Sequence, residues 1–202
     1  MSSESHRFLT RRMPGGPPHE DAAVIQASLE APERFAEIYD AYFVEIHKYV
    51  ERRLGQDIAD DLAAETFVAA FRQRQRYDRT RGDARAWLYG IATNLIRRHR
   101  RREVAMYKAL ARAGAAEAVE VREDGLDARI IALGLRPQLL QALARLNPGD
   151  RDVVLMVTLA ELSYEQVAEA LDIPYGTVCS RLNRARRKLR EALGPSDPFE
   201  EE

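Results

Sequence analysis

Between Leu162 and Leu193 the chain carries side chains that hydrogen-bond nucleic acid at the spacing of one helix face. Projected at about 100° per residue, the segment after Gly176 gathers Val178, Leu182, Ala185 and Leu189 into one narrow arc. Ser180, Asn183, Arg184 and Arg187 fall on the opposite face. Serine, asparagine and arginine are suited to base edges and phosphates in a major groove. Upstream, Ser163 and Gln166 have the spacing of a capping box ahead of Val167, Ala168 and Leu171. Asp172-Ile173-Pro174-Tyr175-Gly176 then interrupts that helix, with Gly176 tolerating a tight approach, and a second helix is expected from about Thr177. This is helix-turn-helix spacing. The plain alternative is a solvated basic helix in a bundle.

Charge is segregated along the chain although the formal net charge is only −1. From Arg72 to Arg102 eleven arginines stand against two acids, Asp78 and Asp83, and from Gly176 to Leu193 six basic residues stand against Glu191. The acids collect at Asp57, Asp60, Asp61 and Glu65, and again from Glu117 to Asp127. Such segregation predicts separate surfaces for anionic and cationic partners. Asp61 and Glu65 share a face one helical turn apart, where like charges repel and a cationic partner would relieve them. Catalytic chemistry has no comparable signal. His6, His19, His47 and His99 lack metal-ligand spacing, and neither a Gly-rich phosphate loop nor a nucleophile motif stands out, so no enzyme, metal or cofactor is expected. The single cysteine, Cys179, excludes an internal disulfide and a cysteine-cluster zinc site.

Helices must position these groups. Phe35, Ile38, Tyr39, Tyr42, Ile46, Tyr49, Val50 and Leu54 recur at steps of three and four, with Gly55 as the stop. A second helix is predicted over about 58–73 with Leu62, Phe67, Ala70 and Phe71 inward. A third starts at Asp83 as N-cap and carries Trp87, Leu88, Ile91 and Leu95 into the arginine run. Trp87 sits at a core position. Pro137 opens a second helical unit, and Asn147-Pro148-Gly149-Asp150 combines an N-cap, proline at the first helical position and an acid in the first turn. The fold expected is all-α, with two small helical domains joined by a flexible linker. The boundaries are a disordered tail at 1–22, a first domain at 23–102, a linker with some helical propensity at 103–136, a helix-turn-helix domain at 137–193 and a polar tail at 194–202. No apolar run approaches the roughly 20 residues of a membrane span, and Arg11 and Arg12 are not followed by the apolar stretch of a signal peptide. A cytoplasmic protein is expected.

Four blocks carry a resemblance. Asp-Leu-Ala-Ala-Glu-Thr-Phe at 61–67 and Arg-Ala-Trp-Leu-Tyr-Gly-Ile-Ala-Thr-Asn at 85–94 resemble domain two of the extracytoplasmic-function (ECF) sigma factors. Leu-Ser-Tyr-Glu-Gln-Val-Ala at 162–168, with Pro-Tyr-Gly-Thr-Val-Cys-Ser-Arg-Leu at 174–182, resembles their domain four. The resemblance implies a subunit that binds core RNA polymerase and directs initiation at promoters with −10 and −35 elements. It places Asp60, Asp61, Leu62 and Glu65 on the β′ clamp helices, with the β flap as a further polymerase contact. Tyr77, Arg85, Asn94, Arg97, Arg98, Arg101 and Arg102 would serve the −10 element, with Arg100 among the phosphate contacts. Ser180, Arg181, Asn183, Arg184 and Arg187 would serve the −35 element. Promoter DNA and an anti-sigma protein are partners it implies, and a membrane is not. Cys179 departs from the family, which often has arginine or lysine there. A stand-alone helix-turn-helix regulator is the competing function; it accounts for 137–193 but not for the acidic helix followed by the arginine run.

Overall fold

In the computed structural model of the chain, which describes residues 18–80, 84–112 and 137–193, the apolar stripes become helices. Among the described residues there is no strand. The first bundle contains α1 (Pro18–Ala27), α2 (Ala36–Leu54), α3 (Gln56–Gln73) and α4 (Ala84–Arg112), with short 3-10 turns at Pro32–Phe35 and Arg74–Arg76. The second contains α5 (Pro137–Ala144), α6 (Pro148–Leu159), α7 (Tyr164–Leu171) and α8 (Tyr175–Leu193).

The α2 stripe packs as its periodicity predicts: Phe35, Ile38, Tyr42, Ile46, Tyr49, Val50 and Leu54 are buried, while Tyr39 stays 40% exposed and stacks on Phe43. Gly55 alone joins α2 to α3, at φ 87° and ψ 167°. A residue with a Cβ pays about 1–3 kcal/mol to occupy that region. Gly55→Ala should therefore lower the unfolding free energy by about that amount, seen as a lower urea midpoint at unchanged slope.

Two boundaries differ from expectation. Helix α1 begins inside the segment expected to be a disordered tail, because Asp21 is buried and accepts a hydrogen bond from the Tyr42 hydroxyl at 2.5 Å. Val24 and Ile25 of α1 join the core. Helix α4 runs on past residue 102 to Arg112, into the segment expected as linker. The remainder of that linker, the residues before Pro18, the polar tail and Asp83 with its expected cap lie outside the described residues.

The two bundles pack on each other, so their spacing is set within the chain and not left open by the linker. Helix α4 lies against α7, and buried residues of both bundles form one continuous apolar cluster. Backbones approach closely at Gly90, where any Cβ would overlap the Ala170 carbonyl. Polar bonds cross the same boundary: Arg85 donates to the Ala160 carbonyl at 2.7 Å, and Arg52 to that of Leu159 at 3.3 Å.

Candidate nucleic-acid interface

Helices α7 and α8 realise the predicted helix-turn-helix. The Gln166 amide donates to the Ser163 hydroxyl at 3.2 Å while the Ser163 amide donates to the Gln166 side chain at 2.9 Å, closing the capping box. Asp172 ends α7 in the left-handed region, φ 50°. Helix α8 starts at Tyr175, slightly earlier than expected, because Pro174 supplies the carbonyl that accepts from Thr177 at 2.8 Å. Val178, Leu182, Ala185 and Leu189 are all buried, as the projection required. Ser180, Asn183, Arg184 and Arg187 are exposed, and Arg181 and Cys179 are half-buried. Gly176 has open space where a Cβ would be, so nothing within the chain demands glycine there.

Arg184 is not a free reading arm. Its guanidinium makes a two-pronged ion pair with Asp150, at 2.6 and 2.7 Å. Those hydrogen bonds hold the Asp150 carboxyl below the usual carboxylate range, against the opposing effect of burial. Asp150 is thus occupied by α8, and Asn147 makes no side-chain cap; Pro148 alone pre-sets the start of α6.

The next two residues complete a hub in the first turns of α6. Arg151 donates to the carbonyls of Leu143 (2.9 Å), Ala144 (2.7 Å) and Leu146 (3.0 Å), satisfying the end of α5 where a cation also suits the helix dipole. Asp152 accepts from Arg53 of α2 at 2.5 Å and from Arg97 of α4 at 2.6 Å. The Arg53 and Asp152 side chains are each 2% exposed. Arg53 also donates to the Tyr49 hydroxyl at 2.7 Å, which shares a 2.9 Å hydrogen bond with Thr93. Burial alone would raise the Asp152 carboxyl's pKa, but Arg53 and Arg97 outweigh it and hold the group low.

The arginine run therefore divides. Arg98, Arg101 and Arg102 are exposed, and Asn94 is exposed beside them. Arg85 pairs with Glu45 at 2.8 Å as well as with the second bundle. Arg97 binds Asp152, and Arg100 donates to the Arg53 carbonyl at 2.8 Å. Tyr77 is 7% exposed with its ring 5.0 Å from that of Trp87, which is itself half-buried against the core. The structure brings Asn94, Arg98, Arg101 and Arg102 to the surface of α4 and keeps Tyr77, Arg85 and Arg97 in internal contacts.

On α3, Asp60, Asp61 and Glu65 are exposed, whereas Leu62 is buried in the core. Asp60 is bonded to His47 of α2 at 2.7 Å. The face α3 offers is thus Asp61 and Glu65, continued by Val68 at 47% exposure.

Sequence reasoning missed Arg53 and Asp152. A signal existed: Arg53 continues the buried stripe of Ile46, Tyr49 and Val50, a position where a charge requires a partner.

Comparison with known proteins matches this layout. A family model described as Sigma-70 region 2 matches residues 38–105, and one described as Sigma-70, region 4 matches residues 136–189. The ECF RNA polymerase sigma factor SigW of Bacillus subtilis is 32% identical over 80% of this chain and 89% of its own length. The ECF RNA polymerase sigma factor SigE of Mycolicibacterium smegmatis is 35% identical over 69% of this chain, which spans only 53% of that relative. Among solved structures, the sigma factor RpoE from Bartonella quintana, in complex with the anti-sigma factor NepR, superposes with a TM-score of 0.54 at 22% identity, covering 81% of this chain and 98% of that one. That likeness is one of fold.

Proposed function

Because the chain belongs to the ECF sigma factors of the sigma-70 family, we propose that α8 reads a −35 element, α4 engages the −10 region, and the Asp61–Glu65 face of α3 docks on the cationic clamp helices of core polymerase. The observation that carries this most directly is the build of α8. A polar face of Ser180, Asn183 and Arg187 stands exposed on a helix whose opposite face is locked by Val178, Leu182, Ala185 and Leu189. Reading side chains need such a rigid base to keep register with bases in the major groove. Arg184 joins this surface as a positioning residue: its bond to Asp150 ties α8 to α6, and its half-exposed guanidinium adds positive charge beside Asn183. Arg181 flanks it.

On α4, Arg98, Arg101 and Arg102 hold phosphates, and Asn94, exposed on the same helix, contacts a base. Arg97, and the Arg85 terminal nitrogen bonded to the Ala160 carbonyl, become available only if the two bundles part, so the packed arrangement is the resting form and engagement with polymerase and promoter is the open one. An anti-sigma protein, the partner class seen with RpoE, belongs to the same proposal. Such a subunit contributes recognition and no catalysis, and it works in the cytoplasm; among the described residues no helix is long and apolar enough to cross a membrane.

The test compares two kinds of substitution in core-dependent transcription. Asn183→Ala should cost about 1–3 kcal/mol at a matched −35 element and little at a scrambled one, as a base contact does. Arg102→Ala should weaken all promoters alike and reduce the salt dependence, because phosphate contacts release counterions. Equal effects of Asn183→Ala on matched and scrambled elements would remove α8 from base reading.

A further inference from the structure

We infer that the cleft between the two bundles binds an oligophosphate chain, either free or carried by a nucleoside. The cleft is a cavity of about 800 Å³, within the size range of small-molecule sites. Arg53, Arg97, Arg100, Arg101, Arg145 and Arg151 line it, and among the described residues Asp152 is the one carboxylate facing them. That carboxylate is already bound by Arg53 and Arg97. Arg53 is 3% exposed, yet among the described residues its Nε has no hydrogen-bond partner, and neither has the buried Nε of Arg100. Clustering of this kind is costly when empty: burial, and then Arg53 and Arg151, push the Arg100 guanidinium down to about 9.

The chemistry of the lining selects the ligand class. Guanidinium forks match phosphate oxygens in pairs. A single phosphate brings at most about two negative charges, too few for this cluster, whereas a chain of phosphates brings a charge to each of several forks. Of the apolar lining residues Ile96 and Leu146 are buried and Pro148 is exposed, so the apolar wall open to a nucleoside base is Pro148. The lining comes from α2, α4 and the α5–α6 turn, so a ligand here bridges both bundles and favours the packed form by mass action. This inference stands on the cleft's geometry; it shares Arg97 and Arg101 with the proposed −10 surface, and its test reads neither promoter nor polymerase.

Titration calorimetry of the full chain with sodium tripolyphosphate, at about 0.15 M salt to screen loose surface binding, should show saturable one-to-one binding and a raised melting temperature. A parallel titration with a nucleoside triphosphate separates the sources: tighter binding assigns the apolar wall to a base, and equal binding assigns the site to the phosphate chain alone. Arg145 is exposed at the cleft. Arg145→Glu should weaken binding by at least about tenfold through like-charge contact, and Arg145→Gln by less. Arg79→Glu, on an exposed position outside the cleft, should bind as the parent does. Absence of saturation with folded protein, or undiminished affinity in folded Arg145→Glu, would overturn the inference. Neither readout involves polymerase or promoter.

Discussion

Asp152→Asn is expected to part the two bundles without melting either. The substitution is nearly isosteric, so packing changes little, but it removes the carboxylate bonded to both Arg53 and Arg97. A buried cation left without its partner costs about 3–5 kcal/mol. Arg53 lies at the boundary between the bundles, and water reaches it if they separate, so opening relieves the penalty at less expense than unfolding. Hydrogen exchange should accelerate along α7 and around Gly90, where α4 meets it, while circular dichroism stays helical. Acid should act on the parent protein in the same direction. Asp152 is held below its ordinary value in the packed form, so its stabilisation is fully present above the unfolded value of about 3.9 and is lost as pH falls through the folded one. The parent should open in acid below about pH 4, and Asp152→Asn should lack that step. Identical exchange in the two proteins at neutral pH would contradict this role for Asp152.

Reversing the acidic face of α3 should abolish association with core polymerase. Asp61 and Glu65 are exposed and one turn apart, so Asp61→Arg with Glu65→Arg exchanges one like-charge pair for another and should move stability by no more than about 0.5 kcal/mol. Against a cationic clamp surface the reversed charges create like-charge contacts costing several kcal/mol. Co-purification with core enzyme should disappear while the thermal transition stays in place. Retention of polymerase by the folded double variant would take this face out of the interface. Leu62, expected beside these acids, supports them only from within the core.

Local features of this chain were legible in its sequence because local physics sets them. Period and caps placed α2, α3, α7 and α8, and the projection of α8 sorted all four core residues from the polar ones. Pairings between distant residues were not legible. Asp152 lies 99 positions from Arg53 and 55 from Arg97, and a count of arginines between Arg72 and Arg102 does not reveal which of them an acid in another bundle will occupy. Arg184 shows the same limit, since its exposed position on α8 was predicted but its bond to Asp150, 34 residues away, was not. Tyr77, which the resemblance placed at the −10 element, is instead buried against Trp87. Helix α1 was missed because its neighbourhood is rich in proline and glycine, and its anchor is a tertiary bond from Tyr42 to Asp21.

Run-off transcription from a promoter library, with start sites mapped by sequencing, decides whether this chain directs initiation. With purified core polymerase and this chain together, initiation should concentrate downstream of one shared pair of elements near −35 and −10, and core enzyme alone should not select them. Tight, sequence-specific protection of duplex DNA by the free protein, with no change in where core polymerase starts, would contradict the sigma assignment and identify a stand-alone regulator.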